Sequence, residues 1–457
     1  MKKVITLCNK ILLKSNNETI NFIDWLHYVK NHEYLNSRYS NKEFELFSII
    51  KNTIIYLLIN FKNLFIGCSE FKTIPKDLDF LVVSHKLSNS MGKDMYFGRL
   101  ENFFKKKNIN YDFLYLGHNK NIKNNKILNK ATFYEKVKIF FDLISKFFCI
   151  ILINKKQLNN CNFIFRLKIA SEALSYKTFD NYVMHKNLKK ILCKKKIKNL
   201  IITFEGFSYE RAIFYTFKNL NLKTRLFGYQ HASVIESQNG LFRDLNKKFN
   251  PDIILTSGSY TKKIFDNVYN NKEVIVFGSN KISVKKFKSK NLINNKVKKI
   301  LALPEGIDSE CEYMMNFVRK CVKELNDVEF IFRLHPLINF SYLKKKYKIF
   351  NDINKKIKFS NKTIDKDIYN SNYCLYRGTT SVINCVINNV YPIYLMKEKE
   401  STINILSNLK KLSKISKADE LKKIIQNTNK NRINIKTKKF VKNYFTKVNF
   451  NVLLKFI

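Results

Sequence analysis

The sequence predicts an α/β protein in which two domains are each built on a parallel, doubly wound sheet. Three observations support this prediction. The 457 residues exceed what one ordinary hydrophobic core needs. Short apolar runs alternate with helix-like segments, which is the order of elements in a parallel sheet. Six of the 11 glycines come at or just after those runs, where the backbone must turn or approach a ligand closely.

The later part of the chain gives the clearest elements. The predicted strands are Leu200–Phe204, Arg225–Phe227, Ile253–Thr256, Val274–Phe277, Ile300–Leu303 and Tyr373–Tyr376, with glycines at Gly206, Gly228, Gly258, Gly278, Gly306 and Gly378. The predicted helices between them are Tyr209–Asn219, Tyr260–Val268, Ser309–Leu325 and Ser381–Asn388. Strand, turn and helix therefore repeat in a regular order.

The earlier part of the chain is less regular. A strand at Phe80–Ser84, a helix at Tyr96–Lys107 and a strand at Tyr111–Leu116 continue the same order. The run Val4–Cys8 is predicted to be a strand, because it is too short for the core of a signal peptide. Residues Asn16–Lys72 have a helical pattern.

The Lys- and Asn-rich stretch 279–297 has no apolar periodicity and predicts a domain boundary. We expect a first domain at 1–280 with a helical N-terminal region. A second domain is expected at 295–430. The remaining tail, 431–457, is expected to return to the first domain.

The formal net charge is +48 at pH 7, and basic surfaces attract phosphate polymers. Lys, Asn and Ile are frequent throughout, as is typical of an AT-rich genome. The chain has no zinc-finger spacing, RNP-like segment or compact recognition helix. We therefore expect no nucleic-acid partner and attribute the charge to compositional drift and to attraction to an anionic membrane surface.

The nine cysteines are scattered and contain no C-x-x-C pair, so free thiols and a cytoplasmic location are expected. The apolar run Ile139–Ile153 contains Asp142 and Lys146 and falls short of a membrane-spanning helix. It is predicted to be a buried helix or one that lies in a membrane interface. The second interpretation would place the protein peripherally on the inner face of the cytoplasmic membrane.

Candidate site residues follow the strands, because ligands of open parallel sheets bind beyond the carboxyl ends of the strands. Glu205 follows the strand that ends at Phe204 and is a candidate general base, with Gly206 giving an acceptor room to approach. The structural alternative is that Glu205 caps the next helix or pairs with Arg211.

A second candidate is the Arg333-Leu334-His335-Pro336 segment, where an apolar strand ends in a cation and an imidazole and proline stops the sheet ladder. Arg333 and His335 are both expected to bind a phosphate group, and a protonated His335 would neutralise the charge of a leaving phosphate. The alternative is that His335 is an ordinary turn residue.

A third candidate precedes an apolar helix, where small hydroxyl side chains and free N–H groups favour anion binding. Its residues are Arg377, Gly378, Thr379, Thr380 and Ser381. The alternative is that Thr380 or Ser381 is simply an N-cap, and both interpretations are compatible.

Further polar residues follow other strands. Gln230 and His231 are expected to bind the acceptor, with His231 as an alternative base or a structural loop residue. Glu305 and Gly306 open the second domain at a position suited to donor phosphates, and His85 is expected to touch the acceptor.

The order of three short motifs resembles that of bacterial sialyltransferases and polysialyltransferases, which are GT-B enzymes that use CMP-sialic acid. The motifs are Glu205-Gly206, His335-Pro336 and Thr379-Thr380-Ser381. The region Asp367–Leu395 is also similar to the donor half of capsule Kdo transferases and of the glycerophosphotransferases of teichoic acid synthesis. Gly228-Tyr229-Gln230-His231 is similar to a segment of surface-carbohydrate biosynthesis proteins.

The resemblance implies a GT-B fold, with two Rossmann-like domains whose parallel sheets face a cleft. It makes 1–280 the acceptor-side domain and 295–430 the nucleotide-sugar-binding domain. It also implies that Glu205 is the general base, that His335 lies on the donor phosphate, and that the hydroxyl cluster binds the phosphate or the donor carboxylate. Phe204 stands where the family has a second carboxylate, and threonines stand where paired serines are common.

The predicted reaction is an inverting transfer from a nucleotide sugar, with a CMP-sugar favoured, to a polysaccharide or lipid-linked acceptor. No cofactor is expected. The D-x-D triplets Asp77–Asp79 and Asp365–Asp367 precede strands, so no metal ion is expected either. The alternatives are a CDP-glycerol-type glycerophosphotransferase or a sugar epimerase of the same fold, and a non-catalytic, basic protein that binds membrane or polysaccharide.

Overall fold

A computed structural model of the protein describes residues 2–27, 41–66, 73–85, 94, 96–116, 131–152, 158, 161–193, 195–220, 222–235, 240–281, 297–336, 338–351, 353–397, 403–409, 412–427 and 433–457. These residues form two compact units. The first unit contains the described residues of Met1–Ala232, Gln238–Asn280 and Lys447–Ile457. The second contains those of Ser233–Ser237 and Lys281–Thr446.

The predicted boundary at 279–297 falls mostly outside the described residues. The predicted tail at 431–457 is divided between the units, because its described residues up to Thr446 belong to the second unit and those from Lys447 belong to the first.

The first unit is built on a six-stranded parallel sheet with the order β2-β1-β3-β4-β5-β6. The strands are β1 (Asp77–His85), β2 (Tyr111–Leu116), β3 (Lys196–Thr203), β4 (Arg225–Gln230), β5 (Ile253–Thr256) and β6 (Glu273–Val276). In β3 only Lys196 and Lys198 are exposed. Burial on both faces explains why the strands read as continuous apolar runs without alternation.

The described helices of the first unit cover this sheet and form a second, helical core. They are α1 (Lys2–Lys14), α2 (Glu18–Asn21), α3 (Leu46–Leu64), α4 (Leu100–Lys106), α5 (Phe133–Leu152), α6 (Phe163–Ala173), α7 (Tyr176–Leu192), α8 (Ser208–Asn219) and α9 (Ser259–Val268). Trp25, Leu143 and Phe165 are among the buried residues of the helical core.

Helix α1 shows that the predicted strand at Val4–Cys8 is wrong. The buried positions Ile5, Cys8, Ile11 and Leu12 recur every three or four residues, which is the spacing of one helix face. A short apolar run does not distinguish a strand from a helix by its periodicity. The buried residues Ile11 and Leu12 continue the helical spacing beyond Cys8, and they identify the segment as a helix.

The segment Lys447–Ile457 closes the first unit by packing against its sheet. Leu453 is fully buried in the same core as Phe227 and Phe277. The backbone N–H of Asn449 donates to the Phe277 carbonyl over 2.8 Å, and the Asn199 amide donates to the Phe456 carbonyl over 2.9 Å.

The second unit contains another six-stranded parallel sheet, with the order β12-β11-β10-β7-β8-β9. The strands are β7 (Lys298–Leu303), β8 (Val328–Phe332), β9 (Ile357–Phe359), β10 (Tyr373–Tyr376), β11 (Tyr391–Leu395) and β12 (Ser413–Ile415). Counted within the unit, this is the 3-2-1-4-5-6 order of the Rossmann fold.

The second unit's described helices follow its strands. They are α10 (Asp308–Glu324), α11 (Phe340–Lys346), α12 (Ile364–Tyr369), α13 (Ser381–Ile387), α14 (Ala418–Gln426) and α15 (Ile435–Tyr444). Its core joins sheet residues such as Phe330 and Leu375 with Met314 and Val318 of α10.

The prediction of an α/β protein with two Rossmann-like, parallel-sheet domains is confirmed by the two sheets. The run Ile139–Ile153 forms part of α5 as far as Leu152, and Ile153 lies outside the described residues. Within the part of the chain that the structure describes, no helix has the length and apolar character needed to cross a membrane.

Candidate active site

Each sheet has a topological switch point, where successive connections leave in opposite directions. In the first unit it lies between β1 and β3, and in the second between β7 and β10. Ligands of open α/β sheets bind at the carboxyl ends of the strands beside such points. Several of the predicted site residues follow these four strands.

Glu205 and His231 form a carboxylate–imidazole pair at the carboxyl edge of the first sheet. Glu205 Oε1 lies 3.2 Å from His231 Nε2, and the side chains are 18% and 11% exposed. The pairing follows from strand register, because Thr203 of β3 is paired with Tyr229 of β4. Glu205 and His231 each lie two residues beyond those partners. A largely buried pair of this kind is suited to moving a proton.

Glu210, in the first turn of α8, holds the loop that carries Glu205. Its carboxylate accepts hydrogen bonds from the backbone N–H groups of Glu205 (3.0 Å), Gly206 (2.7 Å) and Phe207 (2.9 Å). Gly206 has φ +86°, and a Cβ there would collide with the Gly240 carbonyl. Burial and then the Glu205 charge raise the pKa of Glu210 to about 8.

The structural alternative for Glu205 was that it caps α8 or pairs with Arg211. Glu210 performs the capping instead. Arg211 is fully buried, and its guanidinium donates to Asn250 and to the carbonyl of Phe249.

His85 and two tyrosines lie at the same edge. His85 Nε2 is 2.9 Å from the Tyr209 hydroxyl, and the Tyr96 ring lies 4.3 Å from the His231 ring, edge to face. Burial lowers the pKa of His85 and raises the pKa of Tyr96 to about 12. These groups are therefore neutral near pH 7 and provide hydrogen-bonding groups beside the Glu205–His231 pair.

Gln230 is not placed as predicted. Strand β4 extends to Gln230, three residues beyond the predicted end, so the side chain is fully buried in the sheet. Its carbonyl oxygen accepts a hydrogen bond from Ser257 Oγ over 3.1 Å. This placement gives Gln230 a role in joining β4 to β5 and leaves it no exposed surface for an acceptor.

Gly228 also lies inside β4 instead of in a turn. A Cβ at this position would lie 2.9 Å from the Pro251 side chain and 3.0 Å from Phe204. The glycine thus allows close packing on the sheet.

Glu305, Gly306, His335 and Gly378 adjoin one another at the carboxyl edge of the second sheet. A Cβ at Gly306 would lie 2.9 Å from the His335 ring. A Cβ at Gly378, where φ is +58°, would collide with the Glu305 carboxylate. The two glycines therefore make room for an imidazole and a carboxylate at the switch point.

The two predicted donor-binding arginines are both held by carboxylates of the second unit. Arg333 Nη1 lies 2.8 Å from Asp367 Oδ2, and its side chain is 22% exposed. Arg377 is fully buried, and it pairs with Glu310 and donates to the Leu395 carbonyl over 2.7 Å. Arg377 therefore secures α10 and β11, and its burial does not suit direct contact with a donor.

The hydroxyl cluster follows Gly378 and leads into α13. Thr379 Oγ1 accepts the Ser381 N–H over 3.3 Å, and Thr380 is the N-cap residue without a side-chain capping bond. Thr379, Thr380 and Ser381 are half-buried, and Pro336 is exposed directly after His335. These placements leave the hydroxyl groups accessible at the carboxyl edge.

The structure adds Tyr96, Tyr209 and Glu210 to the site, and sequence reasoning had missed all three. Only the second half of a capping box is present, because Glu210 accepts from the Phe207 N–H but the Phe207 side chain has no acceptor, so the sequence lacked the Ser or Thr that usually marks this motif. No sequence signal identifies Tyr96, because its contact with His231 depends on tertiary packing.

No protein-family model and no curated protein match this chain. Among solved structures, it is similar to the Glycosylation Associate Protein (Gap123) complex of Streptococcus agalactiae, at 15% identity and a TM-score of 0.34. That match covers 60% of this chain and 57% of the other, so the chain spans little more than half the length of that structure.

Two further matches are longer. UDP-GlcNAc 2-epimerase from Neisseria meningitidis, bound to UDP-GlcNAc, has 10% identity and a TM-score of 0.43, with 82% of this chain and 98% of that chain covered. The glycotransferase of kitacinnamycin has 8% identity and a TM-score of 0.44, with 81% and 94% covered. With TM-scores this low, the functional conclusion depends on the chain's own residues.

Proposed function

We propose that this protein is a GT-B glycosyltransferase that moves a sugar from a nucleotide donor to a surface polysaccharide or glycolipid. The donor favoured is a CMP-sugar, and the reaction inverts the anomeric carbon without a required metal ion. We further propose peripheral attachment to an anionic membrane surface. The observation that carries the catalytic part is the 3.2 Å pair of Glu205 and His231 beside a switch point.

In the proposed reaction Glu205 removes the proton from the acceptor hydroxyl as its oxygen attacks the anomeric carbon. The bond from that carbon to the donor phosphate breaks, and the phosphate leaves with the electron pair. His231 orients the Glu205 carboxylate, and the neutral His85 and Tyr209 are available to hydrogen-bond the acceptor.

On the donor side, His335 balances the charge of the leaving phosphate, with the hydroxyl groups of Thr379, Thr380 and Ser381 as further donors. The support for this role is that Gly306 and Gly378 leave space around His335 and Glu305. Glu205 belongs to the first unit and His335 to the second.

The Glu205–His231 pair also favours a second candidate, in which His231 is the base and Glu205 orients it. A carboxylate that orients an imidazole is a common arrangement for general-base catalysis. This arrangement would suit a sugar epimerase or a glycerophosphotransferase. The two candidates differ in which of the two residues contacts the reacting hydroxyl.

The first experiment identifies the donor by thermal shift with CMP, CDP, UDP and GDP. At a hundredfold excess over its dissociation constant, a true ligand should stabilise the protein by about 2.7 kcal/mol. Turnover with the matching nucleotide sugar is then measured in the presence of EDTA, where the proposal expects activity to remain.

Glu205→Gln should lower kcat by about 100- to 10,000-fold, and His335→Ala should also lower kcat. A matched control is Glu273→Gln, because Glu273 is an exposed carboxylate at the amino end of β6 in the same sheet. Near-normal turnover of both Glu205→Gln and His335→Ala would refute the proposal. A larger loss for His231→Ala than for Glu205→Gln would favour the second candidate.

A further inference from the structure

Helix α3 (Leu46–Leu64) turns its polar residues toward the protein. Thr53 donates to Ser171 over 2.8 Å, and the Tyr56 hydroxyl donates to Glu172 over 3.0 Å. The Asn60 amide donates to the Leu174 carbonyl over 2.7 Å. Thr53, Tyr56 and Asn60 recur every three or four residues, so they lie on one face of the helix. That polar face packs on α6 and the residue that follows it.

The opposite face of α3 is apolar and exposed. Its large residues recur with the same spacing and continue just past the end of the helix, and all of them are exposed: Phe47, Ile50, Ile54, Leu58, Phe61 and Phe65. Surface helices of water-soluble proteins normally have the reverse orientation, with the apolar stripe toward the core. An exposed apolar stripe of this length marks an interaction surface.

Helix α5 (Phe133–Leu152) extends this surface. Four large residues at helical spacing are exposed: Tyr134, Phe141, Phe148 and Leu152. Helices α3 and α5 pack together, and the rings of Phe65 and Phe133 lie 5.5 Å apart. The two helices therefore present one apolar surface, which we call the α3–α5 face.

The charged residues exposed on these two stripes are lysines. Lys51, Lys62 and Lys138 are exposed, and α3 contains no Asp or Glu. The two acidic residues of α5 are paired with cations of α7, Asp142 with Lys186 over 2.7 Å and Glu135 with Lys190. The α3–α5 face thus combines apolar side chains with positive charge.

We propose that the α3–α5 face docks on an anionic lipid bilayer, with the apolar stripes in the interface and the lysines at the headgroups. Apolar residues flanked by lysine are the composition of helices that lie in a membrane interface. A second copy of the chain is the less favourable occupant, because a symmetric contact would bring like-charged lysine faces together.

The proposal identifies the surface responsible for the membrane attachment proposed above, but none of its residues belong to the candidate active site. Its test needs no sugar donor, so failure of the catalytic proposal and failure of this one are distinguishable.

The test is vesicle flotation of the full chain, with phosphatidylcholine vesicles that either contain or lack about one-third phosphatidylglycerol. We expect binding to the anionic vesicles. The variant Ile54→Gln/Leu58→Gln/Phe61→Gln should bind about 100-fold more weakly, since each side chain loses part of its burial energy. Lys51→Gln and Lys62→Gln should each weaken binding about fivefold.

The matched control is Ile435→Gln in the second unit, because Ile435 is 85% exposed and lies on another helix. It should bind vesicles like the wild type. A second readout uses Leu58→Trp, whose fluorescence should be quenched by lipids brominated in the acyl chain, whereas Ile435→Trp should not be quenched.

Three results would overturn the proposal. One is a wild-type protein that stays unbound with anionic vesicles. Another is equal loss of binding in the α3 variant and in Ile435→Gln. The third is a dimer by light scattering that the α3 variant dissociates, because the occupant would then be a second copy.

Discussion

The carboxyl edges of the two sheets hold their charged groups in different ways. In the first unit, Glu205 and His231 face each other at the edge with part of each side chain exposed. In the second unit, Arg377 is withdrawn into a fully buried pair with Glu310, and Arg333 is held by Asp367. Glu305 and His335 lie at the same edge against Gly378 and Gly306, together with the hydroxyl residues that follow Gly378.

Under the proposed function, this difference would assign proton exchange to the first unit and anion binding to the second. A largely buried carboxylate–imidazole pair is suited to exchanging a proton. Glycines, hydroxyls and backbone N–H groups are suited to binding an anionic group without reacting with it. The buried Arg377 of the second unit joins α10 to β11 through its bonds to Glu310 and the Leu395 carbonyl. We therefore expect changes at the two edges to have different consequences.

The largest stability effect is expected from the buried pair of the second unit. Glu310→Gln leaves the Arg377 charge buried with less compensation and should destabilise the protein by about 3–5 kcal/mol. The measurement is urea unfolding followed by circular dichroism.

The control for that experiment is Glu329→Gln, which removes the partner of Lys358, whose side chain is 63% exposed. An exposed pair contributes at most about 1 kcal/mol. Equal destabilisation by the two variants would show that the buried Arg377–Glu310 pair stabilises the protein no more than an exposed pair does.

Acidification should affect the first unit more. Burial lowers the pKa of His27, His85 and His185, all of which lie in the first unit, and that of His185 falls to about 4. The unfolded chain binds these protons near pH 6.5, so the stability that the neutral histidines contribute is complete above pH 6.5. It is lost as pH falls toward 4, by about 3 kcal/mol for His185 alone.

The check is the pH dependence of unfolding between pH 7 and 4 for the wild type and for His185→Gln, which retains a hydrogen-bonding group near Thr216. The variant should have a flatter profile in this window. Parallel profiles would mean that His185 titrates alike in the folded and unfolded chains.

The smallest effect is expected at Gly378. Gly378→Ala should cost about 1–3 kcal/mol, because φ is +58° and the added methyl group meets the Glu305 carboxylate. Combining it with Glu305→Ala should cost less than the sum of the single changes, because space for the methyl group becomes available. If the losses of unfolding free energy are additive, the cost of Gly378→Ala comes from backbone strain alone and not from contact with Glu305.

Much of the fold was predictable because glycine is scarce in this chain. Five of the six glycines noted in the sequence analysis do mark strand ends or turns, and Gly206, Gly278 and Gly378 have positive φ angles. Gly228 is the exception. Phe204 and Pro251 pack so closely against this strand position that no side chain fits there. The local sequence does not show a packing requirement of this kind.

Most residues of the site were predictable from the sequence, but the contacts between their side chains were not. Glu205 and His231 were each expected after a strand, but their contact depends on the register of β3 with β4, which the sequence does not specify. The burial of Arg377 depends on Glu310, a residue of α10 that no strand-end rule selects. Conversely, the half-buried position of His335 beside Gly306 agrees with its expected place at the end of β8.

The route of the chain also affects how the protein is made. Asn199 in β3 donates to the Phe456 carbonyl, 257 positions later in sequence, so the first unit closes only after the second has been synthesised. Contacts so distant in sequence slow folding. During translation the partly folded first unit would expose the face of its sheet that Leu453 later covers, and a chaperone that shields this face should increase the yield of native protein.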